Sequence, residues 1–191
     1  MKRAIALLEK HNLLKIISDE LDINLEIPHI AYVEVKKADS KAILFTNVVD
    51  RKNGKKFKEP VLMNVFCNED AVKLFIGDGD KIGSEIESLL KLKPPVTFSE
   101  KLSTLGKLFS LKNTIPKKIK GKGICQEVIK LGADAKLSDL PVIKTWEEDG
   151  GAFITMGQVY TQSLNGELKN LGMYRLQVFP DNKIGRAHVW T

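Results

Sequence analysis

Six consecutive residues, Asn170-Leu171-Gly172-Met173-Tyr174-Arg175, bring an amide oxygen, a glycine and a guanidinium into one short run. An amide oxygen suits a hard divalent cation, and glycine lets backbone approach a ligand closely. Arginine stays charged at every working pH and can grip a carboxylate through two parallel hydrogen bonds. By residue type alone, the run reads first as a β-strand with a surface arginine. Other candidates are weaker. Glu147-Glu148-Asp149 before Gly150-Gly151 offers acid and base groups, but three adjacent carboxylates at a turn read as hydrated surface charge. Gly77-Asp78-Gly79-Asp80 with Gly83 has the outline of a calcium loop. Ile82 stands at a ligand position, however, and Leu89 where a bidentate glutamate is needed, so a helix-capping turn is expected. Gly121-Lys122-Gly123 lacks the third glycine and the preceding strand of a phosphate-binding loop. No serine sits in G-x-S-x-G, and His11 and His29 lie far from any convincing nucleophile. Cys67 and Cys125 show no C-x-x-C and no neighbouring histidine, which argues against structural zinc and for a reducing compartment.

The elements that must hold the six-residue run are two strands of a hairpin. Ala152 to Ser163 is rich in Ile, Val, Thr, Tyr and Phe, Asn165-Gly166 offers the turn, and Leu171 to Phe179 returns. Alternation along the return strand puts Met173, Arg175 and Gln177 on one face and Tyr174, Leu176 and Val178 on the other. Upstream, a helix is expected from Lys2 to His11, a strand at Leu13–Ile17, and a helix over Leu25–Lys37 with Pro28 near its start. Ala42–Val49 and Val61–Phe66 read as strands separated by a turn at Asn53-Gly54. Asp80 is expected to cap a helix burying Ile82, Ile86, Leu89 and Leu90. Ser99 is expected to open another, broken by Pro116. Leu137–Ile143 reads as a loop into Pro141.

The chain has 191 residues, 43% hydrophobic and 28% charged, which is ordinary globular usage and excludes disordered and disulfide-scaffold classes. The apolar start ends at Glu9 and Lys10, too early for a signal peptide or membrane span, so a cytoplasmic location is expected. A net charge of +6 raises nucleic acid as a partner. Nearly all of that charge is lysine, and the densest basic stretch, Lys112 to Lys122, has no interleaved aromatics, so it reads as a solvated connector.

Several segments resemble the UbiD family of decarboxylases, which use prenylated FMN, and especially its menaquinone-biosynthesis members. They are Asp139-Leu140-Pro141-Val142, Thr145-Trp146 with Asp149-Gly150-Gly151, Ile154-Thr155-Met156-Gly157 and, most specifically, Asn170 to Arg175. Leu25-Glu26-Ile27-Pro28-His29 and Val61-Leu62-Met63-Asn64 resemble the family's amino-terminal domain. The resemblance implies an α+β chain: an amino-terminal α/β domain over residues 1–118, then the first part of a split β-barrel flavin-binding domain over 119–183, ending inside the barrel. It also implies non-oxidative decarboxylation of an aromatic or unsaturated acid in quinone synthesis, with a flavin prenyltransferase supplying the cofactor and a homo-oligomeric parent.

By motif position, Asn170 becomes a ligand of Mn2+ or Mg2+, while Thr155, Met173, Tyr174 and Arg175 become flavin contacts. Arg175 is also the catalytic residue that faces the substrate carboxylate. This reading expects the Asn170 amide and the Arg175 guanidinium side by side at the hairpin edge. The remaining metal ligands and the catalytic glutamates are expected downstream, so this chain alone is expected to be inactive. Residues 184–191 depart from the family pattern and agree residue for residue with a translated sequencing adapter in which TGA is read as tryptophan. They are expected to be a non-native tail, and His188 is not taken as a ligand. The alternatives are a flavin-reductase-like FMN-binding module without decarboxylase activity and, behind it, a lysine-rich nucleic-acid binder.

Overall fold

The computed structural model describes residues 1–91 and 120–186 and forms two units, residues 1–75 with 136–191 and residues 76–135. In the first unit, α1 (Lys2–Lys10) leads into β1 (Leu14–Asp22). Then α2 (Glu26–Val35) crosses to β2 (Ala42–Asp50), which lies parallel to β1 from Leu14 opposite Ala42 to Asp22 opposite Val49. A parallel pair needs such a crossover, and the helix supplies it. β2 also pairs antiparallel with β3 (Lys55–Lys56) and β4 (Val61–Met63). Its Ala42, Ile43, Leu44, Phe45, Val48 and Val49 are all buried, as a strand covered on both faces requires.

Three details refine the expected elements. Pro28 is the third residue of α2, where its missing N–H leaves no bond unmade, as expected. β4 is shorter than Val61–Phe66 because the backbone turns at Asn64 (φ 55°), whose Nδ2 donates to Ala31 O at 2.7 Å. A further helix, α3 (Glu69–Ile76), is not anticipated in the sequence; Asn68 Oδ1 caps it by accepting from Ala71 N at 2.9 Å.

The core of this unit joins Ile27, Ile43, Phe45, Val48, Phe57 and Val61 with Ile143, a residue from far along the chain. The segment after Pro141 is held there by the backbone. Lys144 N donates to Ile23 O at 3.1 Å, Leu25 N donates to Lys144 O at 3.1 Å, and Phe153 N donates to Ile143 O at 3.0 Å. Lys55 Nζ adds an ion pair to Asp139 at 3.0 Å.

Beyond it, β5 (Ala152–Gln162), β6 (Lys169–Phe179) and β7 (Lys183–Arg186) form a three-stranded antiparallel sheet in that order. The β5–β6 turn is the one expected at Asn165-Gly166. Gly166 has φ 76°, and Gly166 N donates to Ser163 O at 2.9 Å. β6 and β7 are joined through Asp181 (φ 63°) and Asn182 (φ 59°), residue types that tolerate the left-handed region. Ile184, Gly185 and Arg186, from the stretch expected to be a foreign tail, pair with Val178, Gln177 and Leu176. No closed barrel is present among the described residues.

In the second unit, α4 (Gly79–Leu90) is capped by Asp78, not by Asp80 as the sequence suggests. Asp78 is extended (φ −73°, ψ 114°), and its Oδ1 accepts from Asp80 N at 3.0 Å and Lys81 N at 3.3 Å, the geometry an N-cap needs. The apolar stripe expected to be buried is instead open: no residue of α4 is buried, and Ile82, Ile86 and Leu90 are exposed. The helix expected from Ser99, most of the basic connector and the 118/119 boundary lie outside the described residues.

Candidate functional site

β6 is regular from end to end, so its side chains alternate strictly. Asn170, Gly172 and Tyr174 share one face with Thr161, Val159 and Gly157, their partners on β5. Leu171, Met173 and Arg175 share the other with Tyr160 and Gln158. Asn170 and Arg175 are therefore not side by side. An odd spacing of five residues sends them to opposite faces, and about 17 Å of extended strand separates them. The pairing expected from the motif is corrected to this extent: the two groups cannot act on the same atom.

β5 carries the irregularity instead. Ile154 opposes Leu176 and Gly157 opposes Tyr174, so Thr155 and Met156 together face the single residue Arg175. Such a bulge re-aims side chains, and bulges concentrate beside active sites. Thr155 thus comes close in register to Arg175, whereas Tyr174 does not share its face. Gly172 serves Tyr174: a Cβ there would lie 2.7 Å from the Tyr174 ring, so only glycine lets that ring lie back along its own strand.

Arg175 has two partners. Its Nη2 donates to Asp149 Oδ2 at 2.9 Å, and its Cζ lies 4.2 Å from the centre of the Phe153 ring. Asp149 is not hydrated surface charge like Glu147 and Glu148, which are exposed; its side chain is only 16% accessible. It is tied into a turn, with Trp146 N donating to Asp149 Oδ2 at 3.1 Å and Asp149 N donating to Trp146 O at 3.1 Å. Gly150 and Gly151 then pass so close to Gln177 Nε2 that a Cβ on either would sit 3.2–3.3 Å away. Sequence reasoning set Asp149 aside as surface charge because its partner lies 26 residues on, and only the hairpin brings the two together.

Around Arg175 the face is apolar yet open. Met156, Tyr160, Leu171 and Met173 are all large and more than half exposed. Such a surface fits one side of a flat, mostly apolar ring system, with a cation at its end. A metal centre is a different matter. Asn170 is exposed and stands across from Thr161, and no group of three His, Cys, Asp or Glu side chains among the described residues could hold an ion. One amide oxygen falls well short of the six to eight ligands, or the octahedral set, of a hard cation. The described residues do not form that site.

Two family models match the chain, one in each half. Residues 5–90 match the family described as 3-octaprenyl-4-hydroxybenzoate carboxy-lyase N-terminal domain, and residues 117–190 match the carboxy-lyase Rift-related domain. An uncharacterized protein of Helicobacter pylori is 44% identical over 190 residues, covering 97% of this chain and 30% of its own length. An uncharacterized protein of Aquifex aeolicus is 36% identical over 195 residues, covering 96% of this chain and 38% of its own. The chain thus spans about a third of these relatives. Among solved structures, the closed form of vanillic acid decarboxylase from Sedimentibacter hydroxybenzoicus superposes with a TM-score of 0.69 at 20% identity, over 98% of this chain and 37% of that one. Apo 3,4-dihydroxybenzoic acid decarboxylase from Klebsiella pneumoniae gives 0.65 at 19% identity, over 98% and 36%. An evolved dimeric enzyme from Pelotomaculum thermopropionicum, in complex with prFMN, gives 0.56 at 20% identity, over 98% and 38%. At these identities the structural matches speak for the fold.

Proposed function

Because the chain belongs to the UbiD family, we propose that it is the amino-terminal part of a cytoplasmic decarboxylase that removes CO2 from an aromatic acid in menaquinone synthesis. The observation that carries this reading is the setting of Arg175, a pre-held guanidinium at the end of an open apolar face and opposite a bulge. Met173, Arg175 and Thr155 would hold prenylated FMN on that face, with Tyr174 supporting the strand from behind. The cofactor, when bound, would supply the electron sink that no side chain can provide.

The chain's own task is to bind and orient. Of the five N–H donors of Arg175, the contact with Asp149 uses one, which leaves a fork edge for the substrate carboxylate. Met156, Met173 and Leu171 would exclude water from one side of the aromatic ring. Asn170 is proposed as a single contribution to a metal site whose other ligands lie outside this chain, serving a part of the cofactor remote from Arg175. The domain boundary near residue 118 and the foreign origin of residues 184–191 belong to the same proposal. The source nucleotide sequence tests the latter directly.

Reconstituting the parent protein with ordinary and with prenylated FMN tests the reading. Release of CO2 from an aromatic acid only with the prenylated form supports it. FMN binding without decarboxylation in either case would favour a flavin-binding module instead.

A further inference from the structure

We propose that Asp149 is the positioning residue of Arg175, fixing the guanidinium so that one fork edge stays open to an incoming aromatic carboxylate. This rests on the reading of Arg175 as the carboxylate grip. Four observations converge on it. The Asp149 carboxylate lies 2.9 Å from Arg175 Nη2 and is far less accessible than its partner, 16% against 44%. It cannot swing away, because the same Oδ2 accepts from Trp146 N at 3.1 Å and closes the 146–149 turn. The Phe153 ring lies beneath the guanidinium, its centre 4.2 Å from Cζ, so the cation is held by one hydrogen bond and over one aromatic ring. Finally, Gly150 and Gly151 let the loop that carries Asp149 pack against Gln177, the next residue on the Arg175 face of β6.

The physical gain is preorganisation. An unrestrained arginine must surrender rotamer freedom at the moment a carboxylate arrives, and that loss weakens binding. Here the freedom is already given up in folding, while only one donor is consumed. An exposed ion pair on its own contributes little. This one differs in that its acid is anchored by backbone and its base lies over an aromatic ring.

Nuclear magnetic resonance of the Arg175 Nε–Hε and guanidinium groups in the 191-residue chain tests this, with the signals assigned by their loss in Arg175→Lys. Restricted rotation about Nε–Cζ is expected in the unmutated chain. In Asp149→Asn, rotation should be faster by up to about fivefold, the factor to which the upper end of an exposed ion pair's strength corresponds. Near-ultraviolet circular dichroism of Trp146 checks that the turn survives. Asp149→Ser, which also offers the Trp146 N–H an oxygen, serves in its place if the asparagine variant does not fold. Rotation that is already free in the unmutated chain, or that is unchanged in the variant, overturns the proposal. Neither cofactor nor turnover enters the measurement, so its failure leaves the decarboxylase reading standing. A fully active Arg175→Ala parent would remove that reading, and the carboxylate role with it, while the restricted rotation of the unmutated guanidinium would still be measured.

Discussion

At the scale of single residues, the chemistry concentrates on Arg175 and the two groups that hold it. Lysine at this position keeps the charge but loses the planar fork and the guanidinium's contact over the Phe153 ring. Hydrogen bonds to charged groups contribute about 1.5–3 kcal/mol each, so Arg175→Lys in the parent enzyme should lower kcat/KM at least ~10-fold with little change in thermal stability. Steady-state kinetics beside a melting curve would show it. A second charged residue matters for stability rather than catalysis. Glu34 has a side chain only 8% accessible, and it accepts from Lys37 Nζ at 2.7 Å and from Lys41 N at 3.4 Å, with Lys15 Nζ at 3.8 Å. The hydrogen bond from Lys37 holds its carboxyl below the ordinary 4.5. A carboxyl with a lowered pKa in the folded state stabilises fully above its unfolded value, and that stabilisation disappears as pH falls through the folded one. Glu34→Gln should therefore cost about 1–3 kcal/mol at neutral pH. The difference from the unmutated chain should close as pH drops below 4.5, as denaturant unfolding across pH would reveal.

Among the elements, two arrangements decide what the site can be. The bulge on β5 lets Thr155 and Met156 face Arg175 while keeping Ile154 and Gly157 on the packed side of the hairpin. Ile143 belongs by sequence to the stretch that matches the Rift-related domain but is 6% accessible inside the first unit's core, among Ile27, Phe45 and Val48. It acts as a peg that ties the strand leading to Asp149 onto the β1–β2 sheet. Truncating a buried isoleucine costs about 2–5 kcal/mol. Ile143→Ala should thus lower the stability of the first unit by that order and also loosen the Asp149 turn, which hydrogen exchange at the Trp146–Asp149 backbone amides would detect.

For the whole molecule, β5 and β7 are the outer strands of the second sheet, and its apolar face around Met173 is open. An open strand edge is a template for further pairing, and exposed apolar faces of this kind invite association. No helix among the described residues is long and apolar enough to cross a membrane. The expected outcome is that the purified 191-residue chain retains no stoichiometric prenylated FMN and decarboxylates no aromatic acid, whereas the parent does both. Absorbance of the desalted protein after incubation with the cofactor measures the first. A stable flavin spectrum on this chain would contradict it.

Much of this protein was legible in the sequence because its signals are local. Alternation in Ala152–Ser163 and Leu171–Phe179, with Asn165-Gly166 between them, specifies a hairpin, and the apolar run at Ala42–Val49 specifies a covered strand. The residue types of Asn170 to Arg175 carried the family likeness. What the tertiary structure alone decided concerns relations between distant residues. Those are the opposite faces of Asn170 and Arg175, the bulge that aligns Thr155 with Arg175, the insertion of Ile143 into the first core, and the grip of Asp149 on the guanidinium. Side-chain alternation can be counted along a strand only once its bulges are located, and a bulge exists only in relation to a partner strand. Likewise, a carboxylate reads as surface charge until folding brings a cation from across the hairpin to meet it.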